Sequence, residues 1–241
     1  MAHYSDAAEF YDLLYEGEKD YAAEANLLAS LIRERAPRAE SLLDVGCGTG
    51  SHARALIDAG FTVDGVDLEP VFIELARAKC PEGTFYVGDM TDFELPRRYD
   101  VVTCLFSSIG YVQSETALRR AIMGMRDHLN PGGVLIVDPW FEPGQLTDGW
   151  INVLVGAGAN VTVCRMSRTL IDGTTSHLEF EYLIGRPSGI ERRRETHTLS
   201  LFTQSQMVDA FEMAQLSATR KPAALRTRGV YIAELQAERV E

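Results

Sequence analysis

Several features that would indicate other classes of protein are missing from this chain. Its 23 basic and 35 acidic residues leave a net charge of −12, which argues against the basic face that nucleic-acid binding requires. No stretch approaches the roughly 18–20 apolar residues of a membrane-spanning helix. The first residues, MAHYSDAAEFYD, lack a basic segment followed by an apolar one. We therefore expect no nucleic-acid partner, no membrane partner and no secretory signal.

Cysteine is scarce and scattered. Its four positions contain no C-x-x-C pair, and the histidines are widely spaced, so the sequence predicts no metal site. Free thiols suit a reducing compartment better than disulfides do, and we expect a cytoplasmic protein.

The most informative segment that is present is SLLDVGCGTG at 41–50, followed by TVDGVD at 62–67. Each apolar run ends in an acid, Asp44 in the first and Asp67 in the second. Glycines in the intervening loop let the backbone turn tightly and let a ligand approach it. The second acid follows after one helix and one return strand, which places its carboxylate where ribose hydroxyls would lie. The pairing predicts a nucleoside-bearing cofactor.

The glycine spacing decides which cofactor is favoured. A dinucleotide fingerprint reads G-x-G-x-x-G and faces a pyrophosphate, whereas this loop reads G-x-G-x-G with an acid two residues before it. That acid is unfavourable for a pyrophosphate and favourable for a cationic amine. The D-x-G-x-G-x-G pattern resembles motif I of class I methyltransferases, whose S-adenosylmethionine carries an ammonium and a sulfonium. An NAD-dependent oxidoreductase remains a remote alternative, and a non-catalytic module with a relic cofactor site is another.

Alternating strand and helix patterns predict an α/β fold with a mostly parallel, doubly wound sheet. The resemblance at motif I implies that this is the Rossmann-like class I methyltransferase fold. The predicted strands are 41–45, 62–66, 84–89, 99–107 and 134–138. The predicted helices are 20–35, 51–59, 70–79 and 114–129, the last closed by a turn at 130–133.

After Trp140 the pattern becomes antiparallel. Three extended segments are predicted at 160–170, 174–184 and 192–202, with Asp172-Gly173 as a hairpin turn. A helix at 204–216, capped by Thr203, and a strand at 229–235 should then return to the sheet. The predicted organisation is a helical lid (1–40), a cofactor core (41–140), an antiparallel substrate or dimer insertion (141–202) and a returning helix and strand (203–241).

Short motifs along nearly the whole chain resemble one narrower family. They are DYAAEA (20–25), SLLDVGCGTG (41–50), GDMTDF (88–93), TCLFSSIGY (103–111), HLNPGG (128–133) and DPWF (138–141). The chain is similar to the N,N-dimethyltransferases of deoxyaminosugar biosynthesis, which methylate the amino group of a dTDP-linked 3-amino-3,6-dideoxyhexose in antibiotic pathways. The resemblance implies an S-adenosylmethionine-dependent N-methyltransferase and a homodimer. The segment AALRT (223–227) departs from the family's glycine-, proline- and serine-rich loop, so another small natural-product amine or hydroxyl acceptor is the alternative.

The expected site combines strand-end positions with roles that the resemblance implies. Strand ends place Asp89, Phe106, Ser107 and Ser108 at the mouth of the sheet. The expected cofactor-binding residues are Tyr11, Asp44, Gly46, Cys47, Gly48, Asp67, Leu68, Asp89, Met90 and Phe106. The resemblance puts Tyr4 and Tyr111 near the reacting amine, as catalytic residues, and Arg228 of TRGVY toward a nucleotide diphosphate. The expected substrate-binding residues are Tyr15, Ser107, Ser108, Trp140, Arg165 and Arg228.

Overall fold

The computed structural model describes residues 8–222, 225 and 228–235, which form two β-sheets with helices around the larger one. The helices are α1 (Tyr11–Tyr15), α2 (Tyr21–Arg35), α3 (Ser51–Asp58), α4 (Pro70–Lys79), α5 (Glu115–Asp127) and α6 (Gln204–Met213). The strands are β1 (Ser41–Val45), β2 (Thr62–Asp67), β3 (Phe85–Val87), β4 (Tyr99–Cys104), β5 (Leu129–Val137), β6 (Ile151–Ala157), β7 (Thr162–Asp172), β8 (Thr175–Arg186), β9 (Gly189–Ser200), β10 (Leu216–Lys221) and β11 (Val230–Leu235).

The larger sheet is mostly parallel, in the order β10-β11-β5-β4-β1-β2-β3. Strands β1 to β5 pair in parallel, and β11 pairs antiparallel with both β5 and β10. Helices cover both faces, so β1 is apolar on each: Leu43 packs in the core under α5 and α6, and Leu42 in the core under α2, α3 and α4. This arrangement confirms the predicted doubly wound sheet and brings the ends of β1, β2 and β4 to one edge.

Two predicted elements of this sheet differ in the structure. β4 ends at Cys104 rather than 107, because Phe106 and Ser107 both take positive φ angles that a strand does not accommodate. The turn predicted at 130–133 lies inside β5, where the pairing shifts between Tyr99 and Val101 and a bulge absorbs it.

The smaller sheet contains four antiparallel strands, in the order β6-β7-β8-β9, rather than the three predicted. The hairpin at Asp172-Gly173 is confirmed, with Asp172 opposite Thr175. The missed strand is β6, an edge strand against which α1 packs. The contact is close, since a Cβ atom on Gly156 would lie 2.5 Å from the Leu13 carbonyl oxygen.

The final segment returns to the larger sheet by two strands. Thr203 caps α6 through a capping box with Gln206, as predicted for the cap. The helix ends at Met213 rather than 216, because Gln215 takes a positive φ of 57° and the chain turns into β10. No helix in the described part of the chain has the length and apolar character that crossing a membrane would need.

Candidate active site

A cavity of about 810 Å³ lies between the carboxyl edge of the larger sheet, the inner face of the smaller sheet and α1. Predicted cofactor residues on its wall are Tyr11, Gly46, Gly48, Asp67, Leu68, Asp89, Met90 and Phe106. Predicted catalytic or substrate residues on the same wall are Tyr15, Ser108, Tyr111, Trp140, Arg165 and Arg228. Residues from both sets therefore share one space, at the upper end of the roughly 300–1,000 Å³ of ligand sites.

Three predicted site residues lie behind the wall instead. Asp44 and Ser107 are each 1% exposed, and the thiol of Cys47 is buried under the glycine loop. The hydroxyl of Ser107 donates to the Pro139 carbonyl oxygen at 2.9 Å, so it anchors the loop after β4. Tyr4, predicted to be catalytic, lies outside the described residues.

The glycine loop presents bare backbone to the cavity. Gly46 has a φ of 73°, and a Cβ there would lie 2.7 Å from the Ser108 Cβ. Gly48, with a φ of 54°, has no atom within 4 Å of such a Cβ. The loop is therefore packed tightly against Ser108 at Gly46 and is open to the cavity at Gly48. A ligand can approach the backbone closely at such an open glycine.

Asp67 ends β2 beside this loop and is largely buried. Its carboxylate accepts hydrogen bonds from the backbone amides of Gly48, at 2.8 Å, and Glu69, at 3.0 Å. Burial raises the pKa of this carboxyl, and the amide donors oppose that shift. A fixed carboxylate next to open glycine backbone fits the paired hydroxyls of a ribose.

Asp89 both faces the cavity and stabilises the turn after β3. It lines the cavity, while one of its oxygens accepts from the amide and the hydroxyl of Thr91, each at 2.8 Å. The residue therefore stabilises its own turn and still faces the ligand space.

Asp44 lies beneath the loop and accepts a hydrogen bond from the Thr103 hydroxyl at 2.8 Å. Burial raises the pKa of this carboxyl to about 7. The folded protein thus keeps a proton that the unfolded chain loses near pH 4. The stabilising contribution of that proton is lost as the pH rises through about 7.

Replacing Asp44 with asparagine should remove this pH-dependent loss. We expect the cofactor-free Asp44→Asn protein to melt several degrees above the unsubstituted protein, with a gain that grows up to about pH 7 and is constant above it. Thermal melts from pH 5.5 to 8.5 measure this, and a gain that shrinks as the pH rises would contradict it.

Asp100 is the matched control, because its shift has the opposite sign. Burial would raise the pKa of Asp100, but hydrogen bonds from the Glu40 amide, Asn130 and Ser41 outweigh burial and hold it at about 2. Asp100→Asn should therefore lower the melting temperature over the same pH range.

Helix α1 closes the cavity over the glycine loop. The ring of Tyr11 packs against Tyr15 and Phe72, with centroids 4.8 and 5.2 Å apart. The carboxylate of Asp12 pairs with the ammonium of Lys79 on α4 at 2.8 Å. These aromatic and ionic contacts fix the short helix, together with its packing against β6.

The loop after β4 is strained where it meets the cavity. Phe106 and Ser107 have φ angles of 51° and 63°, which non-glycine residues seldom adopt. This conformation turns the Phe106 ring edge-on to Tyr15, with centroids 5.2 Å apart, and under the ammonium of Lys19 at 3.8 Å. The next turn places Tyr111 on the wall.

Two guanidinium groups supply positive charge to the cavity. Arg165 donates to the Tyr15 hydroxyl at 3.1 Å. Arg228 lies 3.6 Å from a carboxylate oxygen of Asp138, with its guanidinium 5.4 Å from the Trp140 ring centroid. Burial raises the pKa of Asp138 to about 6, and Arg228 opposes that shift. The two arginines can face an anionic part of a ligand.

His197, which lies behind Tyr111, is not among the residues that the sequence predicted for the site. The Tyr111 hydroxyl lies 3.2 Å from Nδ1 of His197, a fully buried residue of β9. The sequence did contain a usable signal: Glu195 and His197 are two residues apart in a predicted strand and therefore share one of its faces. Within the described residues, no group of three or more histidine, cysteine or acidic side chains is placed to hold a metal ion.

The fold and the site define a class I S-adenosylmethionine-dependent methyltransferase, and a family model described as "Methyltransferase domain" matches residues 42–133. The chain is 40% identical, over 96% of its length and 92% of the relative's, to the dTDP-3-amino-3,6-dideoxy-α-D-glucopyranose N,N-dimethyltransferase of Streptomyces fradiae. The chain belongs to this family of dTDP-aminosugar N,N-dimethyltransferases. The predicted fold class, enzyme class and cofactor are confirmed.

Solved structures agree with this assignment. Streptomyces venezuelae DesVI superposes with a TM-score of 0.90 at 36% identity, covering 96% of this chain and 99% of DesVI. The amino pentose methyltransferase CalS10 of Micromonospora echinaspora, solved with S-adenosylmethionine bound, gives a TM-score of 0.84 at 34% identity, covering 93% and 95% of the two chains.

Proposed function

We propose that this enzyme methylates, twice in succession, the 3-amino group of a dTDP-linked 3-amino-3,6-dideoxyhexose. The observation that carries the proposal is that one cavity is lined by the glycine loop and Asp67, by Tyr111 and by Arg228. Those three features suit a nucleoside cofactor, a reacting amine and a diphosphate in that order. The identity to a relative named for this sugar supports the choice of acceptor.

The cofactor side is assigned to the edge of β1, β2 and β3. We assign Asp67 to the ribose hydroxyls, Asp89 and Met90 to the adenine, and the backbone at Gly46 and Gly48 to the amino-acid part. Asp44, buried below the loop, makes no contact with the ligand space, and its carboxylate favours the cationic amine when it is ionised. S-adenosylmethionine supplies the methyl electrophile and the sulfur leaving group when it is bound.

The substrate side is assigned to the smaller sheet and the loop after β5. We assign Arg228 and Arg165 to the phosphate oxygens, because a guanidinium fork matches their geometry. Trp140 is suited to hold the sugar or base, since its indole nitrogen donates to the Ser176 hydroxyl at 2.9 Å and fixes the ring plane. Tyr15 links the two sides through its contacts with Phe106 and Arg165.

Tyr111 is assigned to the reacting amine. The amine attacks only as its free base, and a tyrosine with an ordinary pKa of about 10 is a weak base at neutral pH. Its main contribution is therefore to orient the nitrogen, and orientation of this kind supplies several kcal/mol. Tyr4 is assigned to the same amine through the family resemblance alone.

Removing the Tyr111 hydroxyl should slow methyl transfer without weakening the binding of S-adenosylmethionine. We expect Tyr111→Phe to lower kcat by about 10–100-fold, the value of one hydrogen bond to a charged group. Rapid-quench assays at saturating substrate and calorimetry with S-adenosylmethionine measure the two effects. Tyr231→Phe is the control, because that ring is buried against Phe211 away from the cavity. An unchanged kcat for Tyr111→Phe would end this assignment.

The acceptor is tested by mass spectrometry. The purified protein is mixed with S-adenosylmethionine and dTDP-3-amino-3,6-dideoxyglucose, and products carrying one and two added methyl groups are expected. No addition, with S-adenosylmethionine still bound, would exclude this acceptor and favour another small natural-product amine or hydroxyl.

We also propose that two copies pair through the outer face of the smaller sheet. Val153, Val155, Met166 and Leu183 are each about half exposed on that face, an unusual run of apolar side chains for a free surface. Sedimentation equilibrium should give a dimer, and Val155→Glu should shift it to the monomer.

A cytoplasmic location is proposed from the thiols. Cys47, Cys80 and Cys104 are buried and unpaired, and Cys164 is half-buried and unpaired. Free thiols of this kind persist in a reducing compartment.

A further inference from the structure

We propose that His197, oriented by Glu195, receives through Tyr111 the proton that the substrate amine must lose before each methyl transfer. The inference rests on the proposed function and assigns a positioning and proton-accepting group that does not touch the substrate itself. We call the set Tyr111, His197, Glu195 and Tyr182 the proton relay.

The relay is a continuous hydrogen-bonded path from the cavity into the smaller sheet. The Tyr111 hydroxyl, on the cavity wall, lies 3.2 Å from His197 Nδ1. On the far side of the ring, Nε2 lies 3.4 Å from a carboxylate oxygen of Glu195. The Tyr182 hydroxyl donates to that same oxygen at 3.0 Å and holds the carboxylate in place.

The carboxylate decides which ring nitrogen carries the proton. An ionised glutamate only accepts hydrogen bonds, so the Nε2 facing Glu195 must be the N–H. Nδ1 then keeps its lone pair and accepts from the Tyr111 hydroxyl. A buried carboxylate fixes the tautomer of a catalytic histidine in the serine hydrolase triad by the same logic.

The His197 ring is shielded from bulk solvent. The ring is fully buried and lies against Phe180, with centroids 4.8 Å apart. Among the described residues, Tyr111 and Glu195 contact the ring. Tyr182, Arg165, Arg193, Arg186 and Glu191 lie further along the same face of the sheet. Glu195 offers a negative charge in contact with the ring, and its other oxygen is buried without a hydrogen-bond partner among the described residues.

The two arginines are held by other groups. Arg165 donates to the Tyr15 hydroxyl, and its guanidinium lies over the Phe180 ring, 4.3 Å from the ring centroid. Arg193 forms ion pairs with Glu191 and Glu9. The carboxylate of Glu195 is therefore the charge aligned with the imidazole.

Tyrosine is a weak base at neutral pH, and the relay allows Tyr111 to pass the proton of the amine on to His197. The ammonium gives its proton to the Tyr111 oxygen while the Tyr111 proton moves to His197 Nδ1, so no tyrosinate forms. The products are a neutral amine, a neutral tyrosine and an imidazolium beside the Glu195 carboxylate. The freed nitrogen lone pair then forms the N–C bond as the C–S bond breaks, with its electron pair remaining on sulfur.

The decisive variant is His197→Asn, which keeps a hydrogen-bond acceptor near the Nδ1 position but cannot take a proton. We expect kcat at pH 7 to fall about 100-fold, the lower end of general base contributions. We also expect kcat of the variant to rise steeply with pH as the bound ammonium loses its proton to solvent, while the unsubstituted enzyme changes little. Glu195→Gln should shift the profile in the same direction by a smaller amount.

His177→Asn is the matched control. This histidine lies on β8 with its side chain on the opposite face of the sheet, bonded to Thr198. It should leave both the rate and the pH profile unchanged. A His197→Asn enzyme that is slower by one constant factor at every pH, or not slower at all, would overturn the relay.

A second readout does not depend on the acceptor. Nitrogen-15 spectra of histidine-labelled protein, assigned with His197→Asn, should show the Nε2–H tautomer at His197, and Glu195→Gln should weaken that preference. An Nδ1–H tautomer would overturn the relay. If the unsubstituted enzyme does not methylate the aminosugar, the proposed function fails, and the tautomer still decides the relay separately.

Discussion

Substituting Asp67 with alanine is expected to weaken S-adenosylmethionine binding by about 100-fold or more. The carboxylate is suited to accept two ribose hydroxyls, and hydrogen bonds to a charged group contribute about 1.5–3 kcal/mol each. Losing both costs about 3 kcal/mol at the least, which is about two orders of magnitude in Kd. The alanine also releases the Gly48 amide, which Asp67 holds at 2.8 Å, so the glycine loop loses a fixed point. Isothermal titration calorimetry measures the change.

Two comparisons separate a ribose contact from a general effect. S-adenosylhomocysteine has the same ribose, so Asp67→Ala should weaken it by a similar factor. Asp92→Ala is the control for removal of an acid near the site, because the Asp92 side chain is 86% exposed and lies off the cavity wall. If the Asp67→Ala protein binds both ligands with unchanged affinity, the assignment of Asp67 to the cofactor site is wrong.

Replacing Gly46 with alanine is expected to lower the free energy of unfolding by about 2–5 kcal/mol. A Cβ there would lie 2.7 Å from the Ser108 Cβ and 2.9 Å from its hydroxyl oxygen. Crowding of this kind costs about 1–3 kcal/mol, and the left-handed φ of 73° adds about 1–2 kcal/mol. Such a loss is a large share of a typical stability of about 5–15 kcal/mol. Urea unfolding of the cofactor-free protein measures it.

A double substitution identifies the cause. Ser108→Gly removes the two atoms that the new methyl group would meet, so Gly46→Ala with Ser108→Gly should recover the crowding part, as a complete cycle with both single variants shows. Gly48→Ala carries only the cost of its φ angle, about 1–2 kcal/mol, because nothing lies within 4 Å of its Cβ. If the cycle shows no coupling between the two positions, the steric explanation is wrong.

Local signals were sufficient for much of the fold. The glycine loop with Asp67, the hairpin at Asp172-Gly173 and the cap at Thr203 each depend on residues close together in sequence, and each is present in the structure. The parallel sheet was also predictable from local patterns, because a strand buried on both faces is apolar throughout.

Two strands escaped sequence-based prediction because their partners determine them. β6 is an edge strand whose exposed and buried positions depend on α1 packing against Gly156. β10 contains the polar run Ser217–Lys221 and exists as a strand through its pairing with β11. Neither has an apolar pattern strong enough to indicate a strand without that context.

Among the functional features, the sequence by itself determined the enzyme class and the cofactor, and most of the site residues that it predicted lie on the cavity wall. These follow from residue types at short, fixed spacing after strand ends, where backbone geometry leaves few choices. Tertiary structure alone placed Asp44, Cys47 and Ser107 behind the wall, since loop packing decides which side chains face a ligand. It also joined Tyr111 to His197, 86 residues later, because that contact exists only when the smaller sheet packs across the edge of the larger one.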